Sequence, residues 1–362
     1  NQSLTEISLP NATYIGGMFL SNNKSLTEIS LPKVTTIYNG FLYDNEILSK
    51  ISLPNATYIG GTFLSRNKSL TEISLPNVTK IGFSFLEHNE SLQHISLPNV
   101  TSIGDNFLSD NKSMTQISLP NVTSIGNNFL SHNKSLTELS LPNVTMIGDY
   151  FLSENQSLTE LSLDNVTKIG DSFLRHNQSL QQISLPNVTR IEDNFLSENK
   201  SLSRISLPNV THIGSSFLSE NKSLTEISLP KVTTIESSFL YHNEILSSIS
   251  LPNLTTILDG YFLYNNKSLT EISLPKVTNT GTHFLHNNKK LKRVSLPMLT
   301  EIDASFLKRN NHVIVNLPTA ANIPITDILP ERRNKAQRFK HAIQKFYNYI
   351  RMTYRTNSDY EI

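Results

Sequence analysis

The 362 residues carry 31 Lys/Arg against 30 Asp/Glu, a formal charge of +1, so the whole chain has no surplus with which to hold a polyanion, and no nucleic-acid partner is expected. It contains no Cys, which excludes disulfides and thiolate metal sites. No apolar run reaches membrane-spanning length and no signal segment is visible. The chain opens in mid-repeat without Met, so an N-terminal cap or targeting segment is expected to precede it.

From residue 1 to 318 the pair Phe-Leu recurs fourteen times, from Phe19-Leu20 through Phe129-Leu130 to Phe306-Leu307, at a spacing of 22 residues. A fixed period of this length predicts a solenoid, in which each unit stacks on its neighbours. One step, Leu246 to Leu269, is 23 residues, and a kink or bulge is expected around Asp259-Gly260-Tyr261.

Within a unit, Leu4-Thr5-Glu6-Ile7-Ser8-Leu9 alternates, which places Ile7 and Leu9 on one side and Glu6 and Ser8 on the other. This is a short strand, closed by Pro10, which cannot donate to a ladder. Val34 to Ile37 and then Phe41-Leu42 supply the remaining inward side chains, and each unit returns through a turn containing Asn. A lone unit buries too little apolar surface to offset the ordering of its backbone, so stacking is obligatory.

Two polar columns are as regular as the apolar ones. Asn23, Asn45, Asn67 and onward to Asn310 fall at one turn position, where an amide can satisfy backbone groups of its own and the next rung. Thr13, Thr35, Thr57 and onward to Thr300 are expected to tie hydroxyl to backbone. Asn-x-Ser/Thr sequons such as Asn23-Lys24-Ser25 and Asn55-Ala56-Thr57 follow from this repeat chemistry; those on the inward ladder have no room for glycan, which is mild evidence for a bacterial origin.

The string Ser-Leu-Thr-Glu-Ile-Ser-Leu-Pro-Asn-Val-Thr-x-Ile-Gly-x-x-Phe-Leu, found with small changes at 135–152, resembles the BspA-type or treponemal-type leucine-rich repeat. The resemblance covers about seven-eighths of the chain. The chain departs from the family in having Asn where a turn Cys is common and Leu where Ala often stands beside Phe. The resemblance implies a curved leucine-rich repeat solenoid with a parallel sheet on one face. It further implies a protein-attachment role, as in bacterial surface proteins, proteins of anaerobic protists and effectors delivered into host cells; for a bacterial chain that means a secreted, cell-surface or host-translocated location.

After 318 the pattern stops. Residues 319–330, with Pro324 and Pro330, read as a connector, and residues 331–362 as a basic amphipathic helix starting after Pro330. Phe339, Ile343, Phe346, Tyr347, Ile350 and Tyr354 make one apolar stripe. The segment 319–362 holds eight Lys/Arg against four Asp/Glu, leaving the repeats slightly acidic. The favoured role of the helix is to cap the open end of the solenoid; docking on a membrane or a partner is the alternative.

Binding is expected on the variable outward column that precedes the strand Ile: Glu28, Lys50, Glu72, His94, Gln116, Glu138, Glu160, Gln182, Arg204 and Glu226. It stands beside an unbroken Ser row, on a face roughly 65 Å long at about 4.8 Å per rung. Acidic residues bracket its mixed middle, which suits a protein partner with basic or hydrogen-bonding side chains. Tyr14, Tyr38, Tyr58 and Phe83 form a second candidate patch near the N-terminal end.

Catalytic chemistry is not indicated, and no cofactor or metal is expected. His88, His132, His176 and His242 share a loop column but stand at least two rungs, about 10 Å, apart. His283 and His286 are closer but have no matching carboxylates, and read as a solvated loop pair. Glu154 is expected to bond His176 across adjacent rungs. No nucleophile elbow, phosphate-cradling loop or zinc spacing occurs.

Overall fold

The computed structural model describes residues 3–311 and 313–318. They form a parallel β-solenoid in which every turn carries up to two short strands and one turn segment. The first strand is the expected one, as in Glu28–Ser30, and pairs in parallel with its copies one rung away, Ile29 opposite Ile51 and Ile51 opposite Ile73. A second, two-residue strand, as in Thr36–Ile37, builds its own parallel ladder and was not expected as a strand. Its brevity explains this: two residues cannot display a period.

The return segment is the less ordinary part. In the regular turns three alternate residues adopt left-handed backbone, for example Tyr150, Leu152 and Glu154 with φ of 56°, 50° and 61°. Such conformations cost a side-chain-bearing residue roughly 1–2 kcal/mol. They persist because their N–H groups point alternately up and down the stack. Leu152 N–H donates to Phe129 O at 2.9 Å on the rung before, while Tyr150 and Glu154 N–H donate to Asp171 O and Arg175 O on the rung after. The turn is thereby a third inter-rung ladder.

The core lies between the three ladders. From Phe41-Leu42 to Phe306-Leu307 the Phe and its following Leu are buried, and successive Phe rings from Phe19 to Phe306 stack without interruption, with centroids 5.2–6.3 Å apart. The inserted residue does not disturb this stack, since Phe239 and Phe262 remain 5.3 Å apart. Instead Asp259 takes a left-handed conformation (φ 63°) two residues before left-handed Tyr261, bulging the surface. Gly281 (φ 65°) sits against the bulge, where a Cβ would strike the carbonyl oxygen of Asp259.

The polar columns hold the rungs in register. The buried Asn155 amide donates to Leu130 O at 2.9 Å and Ser153 O at 3.3 Å. The column therefore ties its own rung to the preceding one rather than the next, because left-handed Leu130 aims its carbonyl forward along the stack. Thr hydroxyls donate to the Thr carbonyl one rung earlier, as Thr57 to Thr35 and Thr145 to Thr123. An exposed row adds Asn55 to Pro32 O and Asn77 to Pro54 O.

At the C-terminal end Ile314–Asn316 pairs with Arg293–Ser295, extending the first-strand ladder by one shortened rung. The connector 319–330 and the amphipathic segment 331–362, with its capping role, lie outside the described residues.

Candidate functional site

Alternation along the first strand buries Ile and exposes the residues on either side, so Glu28, Lys50, Glu72, His94, Gln116, Glu138, Glu160, Gln182, Arg204 and Glu226 are all exposed on one face. Two grooves run along it. One, about 850 Å³, is lined by the strand residues from Lys50 to Ser140; the other, about 860 Å³, by those from Thr137 to Ser206. They meet at Glu138. The structure thus brings Lys50, Glu72, His94, Gln116, Glu138, Glu160, Gln182 and Arg204 into one elongated channel, with Glu28 and Glu226 just beyond its ends.

A strand on every rung was expected, and the middle of this face departs from it. At Glu138 and Glu160 no strand forms, and only single bridges, Ser118 to Ser140 and Ser162 to Ser184, remain. These two rungs have Leu139 and Leu161 where the others have Ile or Val. Leu lacks the β-branch that favours extended backbone, and Glu138 and Glu160 place like charges on adjacent rungs. Leu139 is partly exposed, as Ile73, Ile205 and Ile249 are on rungs that keep their strand, and adds an apolar spot beneath the two carboxylates.

Of the second patch, Tyr14, Tyr38 and Tyr58 come together, with ring centroids 5.1 and 6.1 Å apart. Phe83 does not join them; it covers Gly61, where a Cβ would meet its ring at 2.5 Å. All four remain 40–57% exposed.

On the turn face each column His leans toward the following rung. His132 Nδ1 lies 3.2 Å from Glu154 and His176 Nδ1 3.2 Å from Glu198, so Glu154 pairs with His132 and not with His176. Arg175 reinforces the second of these pairs, binding the same Glu198 at 2.6 Å. The Arg175 hydrogen bond, followed by that of His176, holds the Glu198 carboxyl below its ordinary range. A lowered folded-state value means a contribution present above the unfolded-state pKa and lost as pH falls through the folded one. Glu198→Gln is therefore expected to cost under about 1 kcal/mol at neutral pH, because the pair is partly solvated. Urea melts should show that difference closing as pH falls below the ordinary glutamate range; an unchanged gap at acid pH would contradict the assignment.

A further aromatic cluster lies beside the insertion. Tyr241 stacks on Tyr264 at 5.1 Å, Tyr264 on His286 at 4.9 Å, and Tyr261 on His283 at 4.7 Å. Tyr264 and Tyr261 meet edge to face at 5.6 Å. His283 and His286 are thus ring-stacked, and His286 is buried, in place of the solvated pair expected. Burial lowers the pKa of His286 and of His242 and raises that of the Tyr241 phenol. The signal was present once the 23-residue step is allowed for, since Tyr241, Tyr264 and His286 then share a column. Among the described residues no group of three His, Cys, Asp or Glu could hold a metal ion.

The fold is shared with known proteins. The model of the BspA type leucine rich repeat region matches residues 1–115, 101–222 and 189–314. A leucine-rich repeat protein from Bacteroides ovatus has 22% identity and a TM-score of 0.74 over 84% of each chain. One from Eubacterium ventriosum has 19% identity and a TM-score of 0.50 over 82% of this chain and 85% of its own. No curated protein matches the sequence significantly. With matches running from residue 1 to 314, the chain belongs to the BspA-type leucine-rich repeat family.

Proposed function

We propose that the chain is a non-catalytic recognition scaffold of a bacterium, displayed at the cell surface or delivered into a host cell, which binds a protein partner along its first-strand face. The observation that carries this reading is the continuous channel from Lys50 to Arg204, two grooves joined at Glu138. A row of Ser, which has little side chain to order, borders a column of varied charged and amide side chains. Such a surface supplies many hydrogen-bonding groups at low entropic cost.

Specificity would reside at Glu138 and Glu160, where the ladder opens and two carboxylates flank partly exposed Leu139. A partner presenting Lys or Arg beside an apolar side chain fits that centre. The second patch, Tyr14, Tyr38 and Tyr58, offers an auxiliary contact at the N-terminal end.

Charge reversal tests the reading. Glu138→Lys with Glu160→Lys is expected to weaken capture of the partner at least about tenfold, mostly through slower association at low salt. Both carboxylates are exposed, so the fold should persist by circular dichroism. Undiminished capture by the double variant would remove the channel as the site.

A further inference from the structure

The Tyr241–Tyr264–His286 stack runs along the solenoid axis in one direction from Tyr241. One rung earlier the same column holds Ser219, too small to cover the other face of the Tyr241 ring. That face borders a groove of about 250 Å³ on the turn side, apart from the long channel. Its floor is the column Asn194, Ser216 and Ser238, all in left-handed backbone. None of these three side chains makes a hydrogen bond among the described residues, nor does the Glu220 carboxylate on the wall. Arg175, also in the wall, is committed to Glu198 at 2.6 Å.

The chemistry of this groove is selective. One open aromatic face beside three uncommitted amide or hydroxyl groups and a carboxylate suits a ligand with a C–H-rich face and a rim of hydroxyls. A wholly apolar ligand would strip water from those polar groups without replacing it. An anion would meet Glu220, and the cation in the lining, Arg175, is already committed to Glu198. The volume lies below that of pockets for drug-sized ligands and holds one ring rather than a chain.

We infer that this groove binds a single neutral pyranose, the terminal unit of a glycan, stacked on the free face of Tyr241 with its hydroxyls bonded to Asn194, Ser216, Ser238 and Glu220. The site is independent of the protein-binding channel, and loss of one leaves the other intact. A scaffold with both would engage a glycosylated surface at two chemically different places, so that each contact reinforces the other.

Saturation-transfer NMR on the full chain tests this with four probes, each alone at millimolar concentration: the methyl glycosides of β-glucose, β-galactose, α-mannose and β-N-acetylglucosamine. At least one is expected to receive saturation chiefly through the C–H protons of one ring face. Tyr241→Ala should weaken that probe about tenfold or more, the loss of one stacked ring, while Tyr241→Phe retains it. Glu220→Gln should weaken it severalfold, and Tyr14→Ala should change nothing. If Tyr241→Ala proves unfolded in a thermal melt, Glu220→Gln decides alone. Absence of transfer from all four probes, or transfer insensitive to the Tyr241 and Glu220 variants, overturns the proposal.

Discussion

Phe151→Ala is expected to destabilise the solenoid by about 3–5 kcal/mol, the range for emptying a fully buried aromatic site. The ring is fully buried and stacks on Phe129 at 5.4 Å and on Phe173 at 5.2 Å, so its removal opens a cavity shared by three rungs. The left-handed Leu152 next to it depends on the same packing, since its N–H must still reach Phe129 O. Because each rung contacts only its neighbours, the damage should be local at first. Hydrogen exchange should accelerate in the rungs from Phe129 to Phe173 before the ends respond. Tyr150→Ala, at a neighbouring exposed ring, should cost far less. A loss under about 1 kcal/mol for Phe151→Ala would mean that the Phe stack is not what holds the rungs together.

Asn155→Asp should be nearly as damaging although it changes one atom. The Asn155 amide is fully buried and donates to Leu130 O and Ser153 O. A carboxylate there would face two carbonyl oxygens with nothing to donate, and an unpaired buried charge costs roughly 3–5 kcal/mol. Burial would raise the folded-state pKa of the new carboxyl above its unfolded value. The protonated form is then the tolerated one, so the variant should be closest to the parent below about pH 4 and lose stability as pH rises through the folded-state value. Denaturant midpoints measured from pH 3 to 7 check the sign. A variant indifferent to pH would show that water reaches this column.

The sequence displayed most of the scaffold because repetition amplifies weak local signals. A single Glu-Ile-Ser says little, but its recurrence fixes both the strand and the side that faces outward. The Asn and Thr columns were legible for the same reason, as were the ten side chains on the outward column. The left-handed backbone at Leu152 was not, because Leu carries none of the usual marks of positive φ; the conformation is imposed by hydrogen bonds to rungs above and below. The loss of the strand at Glu138 and Glu160 turns on Ile becoming Leu, a change that looks conservative until the ladder is built. The Tyr241–His286 cluster required carrying the column across the inserted residue.

Recognition on the first-strand face can be told from recognition elsewhere on the solenoid by cross-linking. A photo-crosslinking residue placed at His94, Gln116 or Gln182 samples that face, one at Lys168 or Arg190 the second-strand face, and one at Asn106 or Asn128 the turn face. With intact target cells, the account predicts protein cross-links from the first three positions alone, lost when Glu138→Lys and Glu160→Lys are added. Equal cross-linking from the second-strand or turn positions, or first-strand adducts that survive the double reversal, would contradict it.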